Sequence, residues 1–206
     1  MSPPELVHQD RWGRVLQVLD SVLGRVENAT NLVAGILVFG LMLLGVAQVV
    51  ARNLFSAPIF GYIDIVEVFM VGFTILSIAY VQRLGGHVRM EVLLSALKGR
   101  SLWLCELTSC ALTSAIVAVL IPGSYSHFSR AFEFGDSTMD VELVIWPAKL
   151  VVPIALALLL IRLLLQMAGY ARMLKNPRLP RVAIPTTGSS ADRAKEEIAL
   201  VQDTVK

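Results

Sequence analysis

The chain has 206 residues, 55% of them hydrophobic and only 17% charged, with a formal net charge of +2. Soluble domains carry roughly 25% charged residues, and here the charges fall in short zones separated by stretches almost free of them. The composition therefore excludes an ordinary soluble domain and points to an integral membrane protein, in which a small basic excess sets topology and gives no reason to expect nucleic acid as a partner.

The first element along the chain is amphipathic. Trp12, Val15, Leu16, Leu19, Val22, Leu23 and Val26 recur at i, i+3, i+4, i+7 spacing, while Arg11, Arg14, Gln17, Ser21, Arg25 and Asn28 fall on the other side. Residues 1–30 are expected to form an N-terminal amphipathic helix, lying at the cytoplasmic interface or leading into the first span. Four apolar runs follow, with spans expected at about 32–53, 62–82, 102–122 and 148–170. The first begins too deep in the chain to read as a cleaved signal peptide. Each run reaches the roughly 20 helical residues that cross about 30 Å of hydrocarbon. Lipid offers the backbone no hydrogen-bond partners, and period-2 alternation is absent, so the spans read as helices rather than barrel strands.

Between the second and third runs lies GGHVRMEVLLSALKGR, residues 85–100. Gly85 and Gly86 break the second span. Met90, Leu93, Leu94 and Leu97 then form one helical stripe opposite His87, Glu91, Ser95 and Lys98. This is the pattern of a short helix lying flat on the membrane, with His87 at its first turn and Arg89 beside it. Past residue 175 the composition turns to Pro, Ser, Thr, Gly and charge, so 176–206 is expected to be a disordered cytoplasmic tail. The fold class is all-α integral membrane: a four-helix transmembrane domain over 31–175, with an N-terminal amphipathic helix and a short cytoplasmic interfacial helix.

Lysine and arginine give the orientation. Arg11, Arg14 and Arg25 precede the first span; Arg83, Arg89, Lys98 and Arg100 lie between the second and third; seven more follow the fourth. The other two loops hold only Arg52 and Arg130, and the longer adds Glu133, Asp136, Asp140 and Glu142. Both termini and the His87 loop are thereby expected in the cytoplasm.

Little in the chain suggests catalysis. Haem ligation in a membrane bundle needs facing ligands at matched depth, yet His87 and His127 sit at opposite ends of the third span and His8 lies in the N-terminal segment. No cluster has metal-ligand spacing, and no cofactor is expected. Cys105 and Cys110 project about 140° apart on one helix and cannot pair. Nucleotide-binding, hydrolase and metalloprotease motifs are missing. Charges at span edges carry more information, because lipid burial is costly. Asp64 and Glu67 open the second span one turn apart, with Thr74 and Ser77 on the same side; Glu106 lies just inside the third span and Arg162 in the inner half of the fourth. Either these residues meet partner helices or an ion path, or they snorkel and pair within the bundle. Two pairings are geometrically easy: Arg52 with Asp64 or Glu67 across the short proline-containing loop, and Glu106 with Arg162 at matched depth.

Arg52, Pro58, Asp64, Arg83, Gly85, His87 and Glu91 fall in an order that resembles the small permease subunit (DctQ type) of tripartite ATP-independent periplasmic, or TRAP, transporters. The resemblance covers about residues 12–173. That family often has tryptophan where this chain has Gly61 and Gly72, and arginine where it has Glu67. The resemblance implies a non-catalytic subunit of the bacterial inner membrane that scaffolds a large multi-span permease. In such systems a periplasmic substrate-binding protein delivers an organic acid, and the large subunit moves it inward, usually with sodium. Arg52, Asp64, Glu67, Arg83, Gly85, His87, Arg89, Glu91, Glu106 and Arg162 are then candidates for partner contact or structural charge, with membrane lipid as a further partner. Two other classes stay open: a stand-alone small transporter, and an anchor subunit of another membrane complex.

The topology is directly testable. Single cysteines placed at 136 and 95 on a cysteine-free background should differ, with an impermeant reagent modifying position 136 from outside and sparing position 95. The reverse pattern overturns the orientation.

Overall fold

The computed structural model describes residues 11–85 and 100–175. Five helices follow in order: α1 (Arg11–Phe55), α2 (Tyr62–Leu76), α3 (Ile78–Leu84), α4 (Arg100–Phe134) and α5 (Trp146–Lys175). α2 and α3 form one rod over Tyr62–Leu84, so the described residues contain four helices long and apolar enough to cross a membrane. The interfacial helix expected in the His87 stretch, and the tail beyond 175, lie outside the described residues.

Among the described residues no separate helix precedes the first span, and the N-terminal segment leads into it. The chain runs from Arg11 to Phe55 as one helix of 45 residues, about 67 Å long at 1.5 Å per residue. Nothing stops it, since this stretch contains no proline. Its amphipathicity is also inverted. Val15, Val18, Leu19, Val22 and Val26 are exposed, whereas Gly13, Gly24 and Glu27 are buried against the bundle. The spacing correctly implied a two-sided helix, but the side that packs carries small and acidic residues.

α2 begins at Gly61 in the left-handed region (φ 73), and α3 ends at Gly85 in the same region (φ 68), capping on the carbonyls of Gln82 and Val81. The rod is interrupted at Ser77, whose hydroxyl donates back to the Phe73 and Thr74 carbonyls at 3.3 Å. Such back-bonding bends helices. α4 and α5 run past proline residues Pro122 and Pro153 without ending.

The apolar core lies mainly between α4 and α5, with Trp103, Cys110 and Val117 facing Leu156, Leu159, Leu163, Tyr170 and Met173, and Ala79 closing it from α3. Aromatic contacts mark both ends. Phe128, Phe132 and Trp146 pack within 5.5–6.5 Å of one another at one end, and Trp103 meets Tyr170 at 6.2 Å at the other. Trp146 and Tyr170 are 24 positions apart on α5, about 36 Å along the axis, a separation that suits the two interfaces of a bilayer.

The end of the bundle that carries the α1–α2 and α4–α5 connections is termed the loop end; that where α1 starts and α5 finishes is termed the termini end. At the loop end, residues 135–145 form a small hairpin. Gly135 turns the chain (φ 67), Ser137 bridges Val144, and Thr138 N–H donates to Leu143 O at 3.0 Å. Lys149 of α5 ties its base by bonding Asp136 at 2.8 Å.

Gly61 sits directly beneath the hairpin tip. A Cβ there would lie 2.2 Å from Val141 Cγ2, so a tryptophan of the family pattern has no room at this position. Gly61→Ala should lower stability by about 1–2 kcal/mol or more, since left-handed backbone alone costs an L-residue that much. Gly35→Ala, at a helical position with nothing within 4 Å, should be neutral or gain roughly 0.5–1 kcal/mol. Thermal unfolding of both variants in detergent checks the contrast; equal behaviour would sink it.

Candidate functional site

Polar side chains gather at both ends of the bundle. At the termini end four charges from three helices meet. Arg162 of α5 is 1% exposed and reaches two carboxylates of α1: Asp20 Oδ1 at 2.5 Å from Nη1 and Glu27 Oε1 at 3.2 Å from Nε. The other oxygen of Glu27, itself 0% exposed, lies 3.4 Å from Arg83 Nε in the last turn of α3. Two guanidiniums thus face two carboxylates. The Nε contacts have ion-pair distances without hydrogen-bond alignment, for neither Glu27 oxygen nor Arg162 Nε completes a hydrogen bond. Glu27 is held by charge more than by direction.

Arg83 makes three further contacts. It donates to the Gly24 carbonyl at 2.8 Å and to Asn28 Oδ1, and its guanidinium stacks 5.1 Å from the Tyr80 ring. Gly24 leaves room for this approach, since a Cβ would lie 2.5 Å from Arg83 Nη1 and the guanidinium would have to shift. Gly13 repeats the device three turns earlier, with Arg172 occupying the space a side chain would fill. Beside the charges, Gln82 Nε2 donates to Gln166 Oε1 at 2.8 Å, and Gln166 Nε2 returns to the Gln82 carbonyl at 3.3 Å. α1, α3 and α5 are therefore joined at the termini end by polar contacts in otherwise apolar surroundings.

At the loop end Asp64 is buried at the start of α2. One of its oxygens accepts the backbone N–H groups of Asp140 (3.1 Å) and Val141 (3.0 Å) from the hairpin tip. This corrects the expected partner: among the described residues neither Asp64 nor Glu67 pairs with Arg52. Two converging amides satisfy the Asp64 carboxylate more economically than a guanidinium that would have to leave water. Glu67 is exposed one turn on, lining an open cavity under the hairpin with Thr138 and Lys149. Arg52 is exposed in the last turn of α1.

The second expected pairing fails as well. Arg162 binds Asp20 and Glu27 of α1 and not Glu106, which is buried on α4. α1 brings two acids to Arg162 from the other side of α5. Of the remaining candidates, Arg83 joins the charge cluster and Gly85 caps α3. His87, Arg89 and Glu91 lie outside the described residues. Sequence reasoning missed Asp20 and Glu27. The available signal was their seven-residue spacing with Gly24 between them, which puts all three on one helical face.

This arrangement places no nucleophile beside a base, and among the described residues no group of histidine, cysteine and acidic side chains could hold a metal ion. Its chemistry is mutual neutralisation. The family model described as "Tripartite ATP-independent periplasmic transporters, DctQ component" matches residues 41–173, from mid-α1 to the end of α5.

The chain belongs to the DctQ family.

It is thus a component of a TRAP transporter. No curated protein and no solved structure matches it. In this DctQ component the charge cluster straddles the edge of the family segment: Arg83 and Arg162 fall inside it, Asp20 and Glu27 before it.

Removing one member of a buried ion pair typically costs about 3–5 kcal/mol, because the other charge is left uncompensated. Arg162→Gln and Glu27→Gln should each destabilise the detergent-solubilised protein on that scale. Combining Glu27→Gln with Arg162→Gln should cost less than the sum of the single changes, as expected for groups in contact. Denaturant titrations of the three variants measure the coupling, and strict additivity would show that the two side chains act independently.

Proposed function

We propose that this DctQ component is the non-catalytic small membrane subunit that anchors and positions the large multi-span permease of its TRAP transporter. The permease carries an organic acid inward on a sodium gradient after a periplasmic binding protein delivers it. The bundle lies in the inner membrane with both termini cytoplasmic, which makes the termini end the cytoplasmic face and the loop end the periplasmic one.

The observation that carries this reading is the disposition of buried polarity. Among the described residues, Glu27, Glu106, Arg162 and Gln166 cluster toward the termini end and Asp64 lies at the loop end. Ser114, the remaining buried polar side chain among them, bonds the Met167 sulfur at 3.5 Å, beside Gln166. A pathway for an ion or a carboxylate needs polar groups through the middle of the membrane. A bundle that pairs its buried arginine with acids toward one end and satisfies its buried Asp64 with backbone amides at the other, with no buried polar side chain among the described residues between, supports holding a partner rather than conducting a solute. Family membership supplies the partner class.

The scaffold role separates assembly from turnover. Vesicles containing this chain alone should show no solute flux. Fully assembled complexes carrying Glu67→Gln or His87→Ala, reconstituted with binding protein and a sodium gradient, should transport at near-normal rates per complex. Intact assembly with transport abolished would place those residues in the translocation mechanism and refute the scaffold.

A further inference from the structure

At the loop end, a cavity of about 470 Å³ opens between the last turns of α1 and the start of α2. It contains two charged side chains, Arg52 and Asp140, and they share it without forming an ion pair with each other. Asp64, the carboxylate nearest Arg52 in sequence, is engaged by the Asp140 and Val141 amides. The guanidinium of Arg52 therefore has no carboxylate partner among the described residues, and the carboxylate of Asp140 has no cation partner among them. Gln48 lines the same space. Its carbonyl accepts the Ile59 N–H at 2.7 Å and shapes the wall, leaving its amide nitrogen as a second donor. The other walls are apolar, from Val49, Ile59, Phe60 and Ile63.

Position adds a further constraint. Arg52 is three residues from the end of α1, where two apolar spans meet the connecting loop, and Leu54, Phe55 and Phe60 around it are each about three-quarters exposed. An arginine at a span end beside exposed apolar side chains, with Tyr62 on the cavity wall, suits the layer where hydrocarbon gives way to headgroups. A ligand suited to this site is amphipathic, with an anionic group for Arg52 and Gln48, a cationic group for Asp140, and an apolar chain to lie along Val49 and Ile63. Guanidinium and phosphate pair well, by charge-assisted and often bidentate hydrogen bonds.

We propose that the cavity lined by Arg52, Gln48 and Asp140 is a binding site for a zwitterionic phospholipid of the loop-end leaflet. Arg52 takes the phosphodiester and Asp140 the ammonium of a phosphoethanolamine headgroup, while the acyl chains follow the exposed apolar face of α1. A purely anionic headgroup matches Arg52 but leaves Asp140 facing further negative charge, so the site discriminates between lipid classes by the acid, not by the arginine. The inference needs only that the bundle sits in a bilayer; it does not rest on the scaffold role.

The test is lipid retention by the full-length chain, read by native mass spectrometry after titration with phosphatidylethanolamine or phosphatidylglycerol in detergent. The unmodified chain should retain phosphatidylethanolamine several-fold better. Arg52→Gln should weaken its retention about tenfold, the size expected for losing one charge-assisted contact. Asp140→Asn should keep lipid binding but erase the preference. Arg130→Gln, at an exposed arginine of the same end that lies outside the cavity, should change nothing. Thermal unfolding provides a second readout, with phosphatidylethanolamine raising the midpoint of the unmodified chain and not that of Arg52→Gln. Equal retention of the two lipids, or an Arg52→Gln variant indistinguishable from Arg130→Gln, would overturn the site. Soluble glycerophosphoethanolamine competing as well as the intact lipid would also overturn it, by showing that the ligand is a free solute.

Discussion

An arginine side chain that is almost wholly enclosed among leucines is tolerable only if opposite charge comes within ion-pair distance, and in this protein everything at the termini end is arranged to meet that demand for Arg162. α1 provides two acids on one face, the second of which is shared with Arg83. The requirement explains why α1 turns its small and acidic residues inward and its valines outward. It explains why Gly24 has no side chain where Arg83 crosses. It also explains why a helix that touches α5 along only a short stretch is nonetheless fixed to it. Burial of apolar surface organises α4 against α5; charge organises α1 against both α3 and α5.

The loop end solves a related problem by other means. The α4–α5 connection must return the chain without leaving its backbone amides unpaired, and Asp64 supplies one oxygen to two of them. The hairpin in turn closes over Gly61, so the start of α2 and the tip of the hairpin specify each other. The two ends thus differ in kind. One is held by side-chain charges on three helices, the other by Asp64 accepting backbone amides at the hairpin tip and Lys149 pairing with Asp136 at its base.

Much of this was visible in the sequence. Apolar run length fixed the four spans, and the glycine at 85 marked the end of the second. The residues that resemble the small TRAP permease subunit led to the family that the chain belongs to. What stayed hidden was pairing. Arg52, Asp64, Glu67, Glu106 and Arg162 were recognisable as costly charges, but depth along a helix does not reveal which neighbour faces which. Asp20 and Glu27 were obscured by the strong apolar periodicity around them. In water that periodicity names the buried face; a helix beside lipid can turn its apolar face outward instead. The lid-like hairpin left no pattern at all, because its register depends on an acceptor 76 positions earlier in the chain.

The separation of Arg162 from Asp20 has a consequence for biogenesis. The two are 142 positions apart, so at roughly 5–20 residues per second a ribosome needs about 7–28 s to make the second after the first. Arg83 emerges well before Arg162 and can neutralise only one of the two acids. Through the interval Asp20 is without its bundle partner Arg162, which the last helix supplies. Insertion of α5 is then the step that completes the charge cluster, since Arg162 is the last of its members to be made.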